Sequence, residues 1–143
     1  MPEDPFDLGR FVQAQTKDYA RALAELRSGR KVTHWIWYVL PQLRGLGTSS
    51  MSTLYGIGSK DEAQAYLAHP VLGSRLLECV AAMNALRDVS AIDVLGPIDA
   101  AKFRSCLTLF LAVDPHNAAL REALDKYFAG AQDESTLALL RAS

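Results

Sequence analysis

The sequence predicts an all-α fold, a single compact domain of seven to nine short helices over residues 1–143, arranged around a central Trp-rich helix. Three observations predict it. Apolar residues recur at three- and four-residue spacing along nearly the whole chain, and no convincing alternating run appears. Ser, Thr and Asp precede many of these stretches, and Gly or Pro follows them. The composition, 50% hydrophobic and 22% charged over 143 residues, is globular. A chain of this length buries roughly 70% of its unfolded surface, so no disulfide or metal is needed to hold it together.

Asp7 is placed to cap a helix carrying Leu8, Phe11, Val12 and Gln15, and Thr16 a second segment with Tyr19, Ala22, Leu23 and Leu26. The two also read as one continuous helix. Gly29 supplies the stop, because it enters the left-handed conformation without a Cβ clash. Thr33 is the expected N-cap of a helix from His34 to Leu40, and Pro41 its exit. Residues 44–50 form a loop by composition. Ser50 or Ser52 then starts a short helix through Tyr55, broken by Gly56 and Gly58. Ser59 and Glu62 spell a capping box for a helix to Ala68. His69-Pro70 ends it, and a longer helix runs from Leu72 to Arg87. Ser90 caps a turn over Ala91–Leu95, closed by Gly96-Pro97. Asp99 is expected to cap a helix from Ala100 to Ala112. Pro115 suits the first turn of the next, which stops at Gly130. Asp133 or Ser135 opens the last helix.

The run from His34 to Gly47 is not ordinary helix sequence. Both tryptophans, Trp35 and Trp37, fall within three positions of each other, with Tyr38 and His34 beside them. A helix wrapped in aromatics on several sides is buried on several sides, which is why this one is expected at the centre. Trp35, Trp37 and Tyr38 read as core, with a stacking platform as the competing reading. His34, Gln42 and Arg44 are polar groups beside that apolar mass and require partners. The loop with Ser49 and Ser50 offers hydroxyls and N–H groups to an anion, although Gly45 and Gly47 match no phosphate-loop pattern.

A second constellation lies at Lys102-Phe103-Arg104-Ser105-Cys106-Leu107-Thr108. Arg104 and Thr108 share a helix face and Ser105 is adjacent, so a cation stands beside two hydroxyls. That set suits a phosphate or carboxylate.

At these residues the chain resembles a bacterial domain-of-unknown-function family, number 1810, over nearly its whole length. The resemblance is carried by His34-Trp35-Ile36-Trp37, Pro41-Gln42-Leu43-Arg44-Gly45-Leu46-Gly47 and Tyr55-Gly56-Ile57, together with His69-Pro70-Val71-Leu72-Gly73 and Arg104-Ser105-Cys106. The family implies a compact helical domain and supplies no catalytic residues. Some members carry a calpastatin label. Calpastatin-type inhibitors are disordered and repetitive, and this chain is neither.

Fifteen Lys and Arg against sixteen Asp and Glu give a net charge of −1, which argues against a nucleic-acid binder. Arg27, Arg30 and Lys31 read as a solvated helix end. His69 reads as a helix-end contact and His116 as solvated. Three scattered histidines and the isolated Cys79 and Cys106 show no metal-ligand spacing, and no cofactor motif appears. Both cysteines read as buried small hydrophobes. Met1 to Pro5 lacks the basic and apolar regions of a signal peptide, and Leu107–Val113 is far below the ~20 residues that span a bilayer. A cytoplasmic protein is expected.

The function these residues suggest is binding of a small anionic ligand, such as a nucleotide or phosphorylated metabolite. The site would comprise His34, Trp37, Gln42, Arg44, Ser49, Ser50, Tyr55, Arg104, Ser105 and Thr108. Arg44 and Arg104 would pair with the anion, and His34 is the one credible acid–base group. The alternative is a protein-interaction or regulatory module without chemistry, motivated by the absence of a catalytic dyad with recognisable spacing.

Overall fold

A computed structural model describes residues 3–142; the reading of Met1 and Pro2 lies outside them. Nine helices appear among the described residues, and no strand. They are α1 (Gly9–Ser28), α2 (Ile36–Val39), α3 (Ser50–Tyr55), α4 (Lys60–Ala68), α5 (Leu72–Ala85), α6 (Ala91–Leu95), α7 (Pro97–Val113), α8 (Ala118–Phe128) and α9 (Glu134–Ala142).

The first two predicted segments are one helix. Its start is held by Asp4 rather than Asp7: the Asp4 carboxylate accepts from the Leu8 and Gly9 amides at 2.7 and 2.8 Å. Those hydrogen bonds, from Gly9 first, hold its carboxyl below the usual carboxylate range. Gly29 ends α1 at φ +83°.

The tryptophan segment departs most from expectation. Thr33 does not cap a helix, because its hydroxyl donates to Glu25 of α1 at 2.6 Å. The same carboxylate accepts from the amides of Val32 and Thr33 and from the Trp35 indole Nε1 at 2.9, 3.0 and 2.9 Å. Residues 32–35 are therefore pinned to α1, and only one helical turn, α2, follows. It packs on α1 and α3. The helical stretch buried on all sides lies in α7, where every residue from Ser105 to Leu111 is buried. It packs against α4, α6, α8 and α9.

Ser49 caps α3, Ser59 caps α4 and Asn117 caps α8. Ser90 and Asp93 form a complete capping box on α6. The box expected at Ser59 is only half made. Glu62 turns instead to the Gly58 amide and to Arg10, which it meets at 2.7 Å. Arg10 also donates to the carbonyls of Phe6, Asp7, Leu54 and Gly56, tying the N-terminal segment to α3 and α4. α7 begins earlier than Asp99, at Pro97, whose missing N–H costs nothing in a first turn. His69 Nδ1 accepts from the Val71 and Leu72 amides and so serves the start of α5.

One core joins these elements. Its largest fully buried side chains include Trp35, Tyr66, Phe11, Phe103 and Phe110, each worth about 1.5–3 kcal/mol of burial. Phe11 meets Tyr66 edge-on at 5.0 Å. Gly73 lets α5 touch α4: a Cβ there would sit 2.0 Å from the Leu67 carbonyl oxygen.

Candidate functional site

The chain between α2 and α4 folds back on itself. Leu43 and Ile57 form an isolated parallel bridge. The Ile57 amide donates to the Gln42 carbonyl at 2.9 Å, and the Arg44 amide to the Ile57 carbonyl at 2.7 Å. This clasp fixes the backbone of Gln42 beside α7. Gln42 then borders two adjoining hollows, and Lys102 of α7 borders both as well.

The inner hollow lies between Trp37, Gln42, Tyr55 and Lys102 and has room, about 10 Å³, for one oxygen-sized atom. The outer is an open depression of about 530 Å³ along the first turns of α7, where Ile98 and Lys102 face Leu46, Asp133 and Ser135.

The polar groups around the inner hollow are largely uncommitted. Among the described residues, Trp37 Nε1 is buried without a hydrogen-bond partner. The Lys102 ammonium lies 5.1 Å from the Trp37 ring centroid. Its nearest carboxylate, Asp99, is 4.0 Å away and is held at 2.8 Å by Lys31. Lys31 is thus not the solvated cation that its position at a helix end suggested. Its side chain is only 6% exposed, and its amide donates to the Val94 carbonyl.

The ten residues expected to form one site are divided. Trp37, Gln42 and Tyr55 share the inner hollow, and Ser105 reaches the outer one. Arg44 and Arg104 do not meet. Arg44 donates to the Thr53 carbonyl at 3.0 Å and lines a separate hollow with Arg10 and Glu62. Arg104 donates to the carbonyls of Ala131 and Gln132 at 2.7 and 3.1 Å and lies over the Phe128 ring. Its hollow, about 280 Å³, is shared with Tyr127 and Ile92.

The anion expected beside Arg104 is supplied from within. Ser105 donates to the Asp133 carboxylate at 3.1 Å, and the Asp133 amide donates to the Thr108 hydroxyl at 2.9 Å. The constellation that looked like a ligand cradle therefore clamps α9 onto α7. His34 is exposed, and its carbonyl accepts from the Tyr38 hydroxyl at 3.3 Å. Ser49 is used as a cap, and Ser50 is exposed in the first turn of α3.

Two residues on the hollows lay outside the expected site: Lys102, named only as part of the second constellation, and Asp133, read only as a helix start. The signal for Lys102 was its place three residues before Ser105 on one helix face.

Burial pushes the Cys79 thiol up to about 12 and Cys106 higher still, which leaves both unreactive. Among the described residues, no group of three His, Cys, Asp or Glu is placed to hold a metal. No helix among them is long and apolar enough to cross a membrane.

Comparison with known proteins supplies a family and no activity. Among curated proteins, none matches the chain significantly. A solved structure described as the conserved hypothetical protein Rv1873 from Mycobacterium tuberculosis is 47% identical. It superposes with a TM-score of 0.96, covering 98% of this chain and 100% of that one. The family profile described as "Protein of unknown function (DUF1810)" matches residues 5–140. With that span matched, the chain belongs to the DUF1810 family.

Proposed function

We propose that the paired hollows bind a small ligand that presents an anionic or acceptor-rich group to Trp37 Nε1, Gln42 and Lys102. The observation that carries this reading is the buried Trp37 indole N–H without an acceptor, on a hollow also lined by Lys102, Gln42 and Tyr55. An unpaired buried donor costs about 1–3 kcal/mol, and a ligand oxygen in the inner hollow recovers it. The Lys102 ammonium supplies the charge, and Tyr55 adds a hydroxyl. Arg44 and Arg104 lie on other hollows and donate to backbone carbonyls there, so the reading does not use them.

The test is a thermal-shift panel of nucleotides, sugar phosphates and carboxylates on the wild-type protein and on Trp37→Phe and Lys102→Met. A ligand held by the native state alone raises the melting temperature by mass action, about 2.7 kcal/mol at a hundred times Kd. The shift is expected to disappear in Lys102→Met and to shrink in Trp37→Phe, which removes only the orphan donor and one ring. A panel without any shift retires the reading.

A second reading rests on Ile92 and Ile98, which are 59% and 73% exposed on two hollows that share Pro97 and Ala101. Exposed large apolar side chains suit a protein contact. Concentration-dependent association that Ile98→Ser abolishes would favour it over ligand binding.

A further inference from the structure

We infer that the ligand of the paired hollows is an ammonium carboxylate, a molecule with one anionic and one cationic end, rather than a phosphate ester; the inference rests on the proposed binding reading and narrows its substrate class. Among the described residues, the charged side chains lining the outer hollow are one cation and one anion, Lys102 and Asp133. Neither neutralises the other within ion-pair distance.

The two carboxylate oxygens of Asp133 differ. Oδ2 accepts from the Ser105 hydroxyl at 3.1 Å, from the Thr136 amide at 3.0 Å and from the Thr136 hydroxyl. Among the described residues, none donates a hydrogen bond to Oδ1. One oxygen therefore anchors α9, while the carboxylate as a whole borders both the outer hollow and the hollow of Arg104. Lys102 and Gln42 border both hollows and carry donors, and the inner hollow adds the Trp37 indole and the hydroxyls of Ser52 and Tyr55.

A phosphate dianion would find a single ammonium there and would lie in the same depression as the Asp133 carboxylate. Like charges sharing a depression of reduced dielectric repel, which offsets part of the attraction to Lys102. In an ammonium carboxylate the cationic end offsets that repulsion. Its carboxylate takes the Lys102 and Trp37 donors, and its ammonium takes Asp133 Oδ1. Leu46 and Ile98 border the depression and favour an apolar body between the two ends.

The experiment is isothermal titration of the wild-type protein with free amino acids and dipeptides. The N-acetyl and C-terminal amide derivatives of any binder follow, and phosphate monoesters are titrated in parallel. The expected result is binding of at least one ammonium carboxylate, weakened at least tenfold by N-acetylation and at least tenfold by amidation. The N-acetyl loss is expected to vanish in Asp133→Asn, while Lys102→Met abolishes binding. The comparison of derivatives on wild-type protein stands even where Asp133→Asn loosens α9. Phosphate esters that bind in a Lys102-dependent way, with no ammonium carboxylate binding, overturn this inference and leave the binding reading intact. N-acetyl derivatives that bind as tightly as the free amines also overturn it. No binding by either class overturns both.

Discussion

Replacing Glu25 with alanine removes the acceptor that turns the chain from α1 into the tryptophan segment. The lost bonds are those from Val32 N, Thr33 N, Thr33 Oγ1 and Trp35 Nε1, at 2.6 to 3.0 Å. Val32 is exposed and Thr33 half-buried, so water replaces most of what those groups lose. Trp35 is 0% exposed, and its indole N–H is left without an acceptor at a cost of about 1–3 kcal/mol. With the loosened 32–35 segment added, the expected loss is about 3 kcal/mol. The same carboxylate makes the effect depend on pH. Burial raises its pKa, but the hydrogen bonds from Thr33, Trp35 and Val32 outweigh burial and hold it at about 2, below the usual 4.5. A depressed carboxyl stabilises the fold fully above its unfolded value, and that stability is lost as pH falls through the folded one. At about 1.36 kcal/mol per unit the shift corresponds to about 3 kcal/mol, reduced to about 2 because the group is only half-buried. Urea denaturation of wild type and Glu25→Ala at pH 7 and at pH 3 measures both quantities. The gap between the two proteins is expected to be largest at pH 7 and to shrink by roughly half at pH 3. A gap below about 0.5 kcal/mol at pH 7, or one unchanged at pH 3, refutes the reasoning.

Gly73→Ala drives a Cβ to 2.0 Å from the Leu67 carbonyl and forces α4 and α5 apart. The expected cost is about 3 kcal/mol, a melting temperature lower by roughly 10 °C in a thermal scan. Cys79 and Cys106 should resist a thiol reagent in native protein and react at once in denaturant, because both are fully buried; fast native labelling contradicts their placement. Arg104→Ala releases the carbonyls of residues 131 and 132. It should raise hydrogen exchange across α9 at least tenfold while leaving α1 and α4 unchanged.

The all-helical class was legible because apolar periodicity and side-chain caps are local signals. Ser59, Ser90 and Gly29 act where their neighbours in sequence placed them. The tryptophan helix was not legible, because what shortens it is distant: Glu25 captures Thr33 and Trp35 from a helix that ends before them. The candidate site divides along the same line. Aromatic clustering pointed to Trp37 and Tyr55, which share a hollow. Arg44 and Arg104 misled because their acceptors are backbone carbonyls, which carry no residue signature. Asp133 could be named as a cap from its own neighbours, but nothing local placed it against Ser105, twenty-eight residues away.

The pairing of Leu43 with Ile57 has a consequence for how this region tolerates change. The segment it encloses is cinched at its neck, and Thr48, Ser49 and Ser50 on its rim are all exposed. Lengthening such a rim costs little, only about 0.6 kcal/mol for each doubling of the enclosed chain. A longer rim with other side chains is therefore compatible with the Leu43–Ile57 pairing that holds the backbone of Gln42.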